Sequence, residues 1–263
     1  MKQEYERIQK FLASRGIASR RQIEVWIEEG RLRVNGKPAE IGQRVSGHES
    51  FSLDGRTLRV AAEQESPRMV LMYHKPVGEI CTRKDEEGRP TVFRRLPRIH
   101  QGRWVAIGRL DINTAGLLLF TNDGALANKL MHPSTEIERE YWVRVAGEVN
   151  EETLQALRKG MMLEDGFAKF DDIQPLQTLN DDDTQYNRYY SVVLKEGRNR
   201  EVRRLWEAVG CQVSRLKRIR YGNVSLPKSL PAGKHRLLEP RELSDLMALV
   251  RTKPVRDKMP RPR

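Results

Sequence analysis

A chain of 263 residues, with 48 Lys and Arg against 36 Asp and Glu, carries a formal charge of +12 and is long enough for two domains with a substantial core. That excess points first to a phosphate-bearing polymer as partner, with an inert basic surface or an anionic membrane as the alternatives. No apolar run approaches the roughly 20 residues of a membrane span, and the start MKQEYERIQK has no signal-peptide core. The distant pair Cys81 and Cys211 forms no CxxC, and the histidines show no ligand spacing, so a soluble, cytoplasmic protein with reduced, buried cysteines and no metal is expected.

In chain order, Ile8, Phe11 and Leu12 fall at helical spacing up to Gly16. Ser19 with Gln22 is a capping-box pattern that opens a second helix carrying Ile23, Trp26 and Ile27 as far as Gly30. Arg31 to Val34 and Phe51 to Leu53 read as strands followed by the hairpin turns Asn35-Gly36 and Asp54-Gly55, with Thr57 to Val60 closing the second hairpin. Arg15, Ser19, Arg20 and Arg21 gather at the helix junction, with Arg31, Arg33 and Lys37 close by. They can neutralise several phosphates if they share a face, or merely solvate a small domain. The run IQKFLASRGIASRRQIEVWIEEGRLRVNGKPAEIGQRV resembles the small alpha-L RNA-binding domain, and the resemblance implies that this surface meets structured RNA.

AAEQESPR, residues 61–68, lacks periodicity and reads as a linker. Met69 to Tyr73 is a strand, KPVG a turn, Ile80 to Thr82 a short strand, and the loop after it is basic through Arg83, Lys84, Arg89, Arg94 and Arg95. GRLDINTAGLLLFTNDG follows, its apolar centre Gly116 to Thr121 having the length of a buried strand. Ahead of it Arg109 and Asp111 flank one Leu. A neighbouring guanidinium favours an ionised carboxylate, as a nucleophile or general base needs, although such an Asp also serves as a turn former or structural ion pair.

Asn122 or Asp123 can cap a helix over Ala125 to Met131, which Pro133 stops. EREYWVRV alternates as a strand with Tyr141, Val143 and Val145 on one side, turning Tyr141 toward a core or a pocket. Asn150 caps a helix ending at Gly160, and Leu179 to Gln185 reads as an exposed hairpin loop. In SVVLKEGRNREVRRLWEAVG, Asn199 can cap a helix with the stripe Val202, Leu205, Trp206 and Val209. Arg200, Arg203 and Arg204 lie off that stripe at the end where a helix dipole prefers acids, so they face an external anion, an internal carboxylate or solvent. VSRLKRIRY is a strand placing Leu216 among basic residues. A last helix starts near Pro240, and a basic Pro-containing tail ends the chain. Neither a Walker-type loop nor a strand-linked GxGxxG occurs, so no nucleotide cofactor is expected.

GRLDINTAGLLLFTNDG, EREYWVRV, and EGRNREVRRLWEAVG followed by RLKRIRYG together resemble the pseudouridine synthases of the bacterial ribosomal small-subunit and large-subunit group, over nearly the whole chain. The resemblance implies an α+β fold, an alpha-L RNA-binding domain (1–62) followed by a catalytic domain (69–250) with a mixed, largely antiparallel central sheet; the composition separates them by a linker (63–68) and leaves a basic disordered tail (251–263). It makes Asp111 the catalytic aspartate, Tyr141 the residue that stacks on the target base, Arg203 the cation paired with the aspartate, and Leu216 an apolar wall of the pocket. Arg109, Arg200 and Arg204, with Arg15, Arg20, Arg21 and Lys37, are then candidate RNA contacts. KPVGEICTRKDEEGRPTVF and LANKLMHP bring it nearest to members acting on 23S ribosomal RNA, so that RNA or a large-subunit assembly intermediate is the expected partner of a monomer needing no cofactor. A sister enzyme for another 23S or a 16S uridine, and a noncatalytic RNA-binding assembly factor, are the alternatives.

Overall fold

Ser19 has extended backbone, and its hydroxyl accepts from the Gln22 amide at 3.0 Å, the cap that the sequence pattern requires. Helix α2 (Arg20–Glu28) follows and packs with α1 (Ile8–Ser14). The computed structural model describes residues 5–60, 67–99, 102–177 and 187–251. The expected loop at Leu179 to Gln185 falls outside these residues, as do most of the linker and all but the first residue of the tail.

Contacts divide the chain into two units. The first comprises residues up to Arg68 together with Pro97–Val105 and Thr121–Gly124, so it takes in two segments from beyond the linker. Its four-stranded sheet joins β1 (Leu32–Val34), β2 (Lys37–Pro38), β3 (Phe51–Leu53) and β4 (Arg56–Thr57) in the order β2-β1-β3-β4. Both hairpins turn on left-handed pairs, Asn35-Gly36 and Asp54-Gly55, which Asn, Asp and Gly tolerate best. Ile8, Phe11, Leu12, Ile23, Ile27, Leu32 and Phe51 form the core of this unit. Gly16, also left-handed, approaches Gly102 so closely that a Cβ would lie 2.8 Å from its carbonyl oxygen.

The second unit is built on a nine-stranded mixed sheet. Its path runs through β5 (Val70–Lys75), β6 (Ala115–Thr121), β7 (Arg139–Ala146), β8 (Asp172–Leu176), β9 (Asn187–Leu194), β10 (Gln212–Tyr221) and β11 (His235–Leu237), in the order β8-β9-β7-β10-β6-β5-β11. Val105–Ile107 and Val224–Ser225 pair at its sides. The pairs β8·β9, β9·β7, β7·β10 and β11·β5 are antiparallel, and β10·β6 is parallel. Leu117 to Phe120 are fully buried, as the apolar run predicts. Helices α3 (Gly124–Met131), α4 (Glu151–Lys159), α5 (Glu201–Glu207) and α6 (Pro240–Arg251) complete the fold.

Several local expectations change. Ile80 makes only an isolated bridge to Thr91, and the strand expected over Thr57 to Val60 is Arg56–Thr57. Asn199 does not cap α5: the residue before the helix is Arg200 in left-handed conformation (φ 50°), and the Glu201 carboxylate instead accepts from the Arg198 amide at 3.0 Å. The two cysteines are free, but only Cys211 is buried. Cys81 is partly exposed, because its segment edges a cleft rather than a core.

Candidate active site

The parallel pairing of β6 with β10 sets Gly116 opposite Arg218. Gly116 has φ 108°, and a Cβ there would lie 2.6 Å from the Arg218 amide nitrogen and closer still to its carbonyl oxygen. Only glycine lets the two backbones approach this far. On the other side of β10, Tyr141 pairs with Arg218 and Val143 with Leu216, after a register shift between Glu140 and Tyr141 that skips Ile219. Tyr141, Leu216 and Arg218 are each less than 10% exposed and line one cleft of about 1010 Å³.

Asp111 lies on the wall of that cleft, in the turn leading into β6 that the Thr114 amide closes on the Asp111 carbonyl at 3.0 Å. Two cations grip the backbone of this turn. The ammonium of Lys75, a residue with no exposed surface at the end of β5, donates to the carbonyls of Thr114 (2.8 Å), Asp111 (3.0 Å) and Pro76 (3.0 Å). The Arg203 guanidinium, arriving from α5, donates to the carbonyls of Asn113 (2.9 Å) and Val213 (2.8 Å). Burial holds both below their ordinary pKa values, the Asp111 charge opposing the shift in each case. The Asp111 carboxylate itself meets no hydrogen-bond or ion-pair partner among the described residues, so it stands free on the cleft wall, with two buried positive charges near enough to feel it.

The predicted residues therefore sort unequally. Asp111, Arg109, Tyr141, Leu216 and Arg200 line the cleft together, Arg109 and Arg200 being exposed. The expected pairing of Arg203 with the aspartate is not made, its two terminal nitrogens being bonded to backbone carbonyls while Nε has no partner, and Arg109 makes no ion pair with Asp111 either. Arg204 is taken by an internal carboxylate, with two hydrogen bonds of 2.8 Å to Asp165, and does not line the cleft. In the first unit, Arg20, Arg21 and Lys37 are exposed, whereas Arg15 stacks 3.5 Å above the Phe11 ring. Arg31 is held by Asp54 and Glu29. In the basic loop of the second unit, Arg89 pairs with Asp85 and Glu87, and Arg95 with Glu79.

Lys75 and Arg218 escape the sequence reading, as does Glu201, a buried carboxyl on the cleft wall that burial pushes above its usual range. A lysine closing a strand that opens with the apolar run VLMY, ahead of a proline, was the available signal for the first. For Arg218 the signal was its position two residues beyond Leu216 in a strand, on the same face.

A family model described as RNA pseudouridylate synthase matches residues 69–208, and one described as S4 domain matches residues 6–50. The chain is similar to ribosomal large subunit pseudouridine synthase B of Pseudomonas aeruginosa, 56% identical over 250 residues that make up 95% of this chain and 64% of the relative. The protein of the same name from Salmonella typhimurium is 53% identical over 251 residues, 95% of this chain and 84% of that one. The chain thus spans slightly less than two thirds of the Pseudomonas protein's length. Among solved structures, one titled crystal structure of pseudouridylate synthase superposes with a TM-score of 0.61 at 27% identity, covering 91% of this chain and 99% of its own.

Proposed function

The chain belongs to the RNA pseudouridylate synthase family, and from that premise we propose that it isomerises a uridine of 23S ribosomal RNA, free or within a large-subunit assembly intermediate, to pseudouridine. The observation that carries this reading is the unpaired Asp111 carboxylate on the wall of a cleft shared with Tyr141 and Leu216. In the reaction the bond between ribose C1′ and N1 breaks, the uracil turns, and C5 bonds to C1′ while the C5 proton leaves and N1 gains one. Atoms and electrons balance within the nucleotide, so no redox partner or triphosphate is required.

Asp111 attacks C1′ or C6, or removes a ribose proton on a glycal route, and each role needs a free, directed carboxylate. Lys75 and Arg203 supply the direction by fixing the turn that bears it. A uridine inside stacked RNA must be extruded, at a cost of a few kcal/mol. Stacking on Tyr141 returns about 1–3 kcal/mol of that. Arg109 and Arg200, exposed at the cleft, meet the flanking phosphates, and Arg15, Arg20, Arg21 and Lys37 extend the contact over the first unit. The enzyme works as a cytoplasmic monomer.

The test is tritium release from carbon-5-labelled uridine in 23S RNA by the wild type and by Asp111→Asn. Release by the wild type alone, with RNA binding retained by the variant, is expected. Binding by both forms with release by neither would mark a noncatalytic RNA-binding factor. Mapping pseudouridines in ribosomal RNA with and without the gene then identifies the site, and loss of a 16S modification would overturn the large-subunit assignment.

A further inference from the structure

Two polar groups on the cleft are buried with nothing to bond to. Arg218 is 2% exposed; its Nε donates to the Leu117 carbonyl at 2.8 Å, but its Nη2 has no partner. Thr114, also 2% exposed, has an unpartnered hydroxyl. Both residues line the cleft that holds Asp111, and among the described residues no carboxylate lies within ion-pairing distance of Arg218. A buried guanidinium with a spare donor and no counter-charge is costly unless a ligand completes it.

We propose that Arg218 binds the uracil ring and carries the negative charge left on it when the glycosidic bond breaks. The inference rests on the synthase reading above. On the C1′ and glycal routes, to which this inference applies, the N1–C1′ bond breaks with both electrons leaving on the base, where they spread over N1, O2, O4 and C5. The ribose carbon is satisfied by the Asp111 oxygen or by loss of the C2′ proton to it. Arg218 keeps its proton throughout and donates Nη2–H to a ring carbonyl oxygen, a bond that strengthens as the charge develops. The same stabilised anion then bonds C5 to C1′ as the Asp111 oxygen leaves that carbon, or as C2′ takes its proton back from Asp111, and the C5 proton is lost while N1 gains one.

Position selects the base over a phosphate as ligand. Arg218 is buried beside Tyr141 and Leu216 on one sheet face. A phosphate with nucleotides on both sides has to stay at the mouth, where Arg109 and Arg200 are exposed, so only an extruded base reaches the floor.

The experiment is single-turnover rearrangement of 23S RNA carrying uridine or 5-fluorouridine, with RNA affinity measured in parallel, for the wild type, Arg218→Gln and Arg218→Lys. Loss of one such donor slows the step about 10²–10³-fold, so Arg218→Gln is expected to fall by that factor at saturating RNA with its affinity unchanged. Fluorine lets the ring bear its own charge, so the deficit shrinks on the fluorinated RNA, to about tenfold. Arg218→Lys, which keeps the charge, recovers part of the rate, and a wild-type urea transition followed by tryptophan fluorescence, with Trp206 buried in the same unit, shows each variant to be folded. A weakened affinity with a normal saturated rate would mean a phosphate contact and would overturn the inference. So would an equal deficit on the two RNAs. Absence of reaction by the wild type would instead bring down the synthase reading itself.

Discussion

Replacing Lys75 by Met keeps the length of the side chain and removes the charge that ties down the Asp111 turn. Three carbonyls lose a charged donor at 2.8–3.0 Å, two of them in the turn itself. Hydrogen bonds of this kind contribute about 1.5–3 kcal/mol each, roughly 5–9 kcal/mol in sum. Dehydrating the ammonium opposes them by several kcal/mol, in line with the depression of its pKa by burial. The net expectation is a loss of about 2–4 kcal/mol, because the stranded carbonyls regain water only if the turn moves. Such movement displaces Asp111, and a shift of about 1 Å at a reacting group costs about 10²-fold in rate. Urea unfolding followed by tryptophan fluorescence reads the first quantity, and single-turnover tritium release at saturating RNA reads the second. RNA affinity should be unchanged, since Lys75 has no exposed surface. A variant with wild-type stability and rate would refute the idea that this ammonium positions the aspartate.

Two further outcomes are expected. Arg204→Ala should lower stability only slightly, through loss of its solvent-screened pair with Asp165, and leave RNA affinity alone; a clear loss of affinity would return Arg204 to the RNA-binding set. His74, whose ring is held neutral by burial while Nδ1–H donates to the Leu230 carbonyl at 2.7 Å, has a folded pKa below 6.5, with Lys217 adding to the depression. The unfolded chain therefore takes up the proton first as pH falls. The His74 contribution is full above about pH 6.5 and is lost as pH drops through that value toward the folded one. Urea unfolding of the wild type and His74→Gln at pH 7.5 and pH 5 (about one unit above and more than one below 6.5) should show the smaller acid loss in the variant.

Much of the local structure was legible because its causes are local. Ser19 and Asn150 cap their helices with side chains three residues from the amides they satisfy, and Asn35-Gly36 and Asp54-Gly55 turn where the pairs permit left-handed backbone. The alternation in EREYWVRV turned Tyr141 inward, and the apolar run after Asp111 became the buried strand beside the cleft. Asn199 misled because the competing cap, the Glu201 carboxylate on the Arg198 amide, is an equally local option that a sequence pattern does not rank.

By itself the sequence determined most of the elements, the basic character of the chain and, through GRLDINTAGLLLFTNDG, EREYWVRV and EGRNREVRRLWEAVG, the family. Only the tertiary structure decided how the cations are used. Arg203 and Arg204 are neighbours in one helix, yet one holds the Asn113 carbonyl 90 residues away and the other an internal carboxylate. Lys75 and Arg218 acquired their places when the sheet brought β5, β6 and β10 together, with Gly116 permitting the closest approach. Helix caps and turns depend on neighbours a few residues away, which a sequence displays. The partner of a buried charge depends on which distant backbone the fold brings within 3 Å, and that information exists only once the chain has folded.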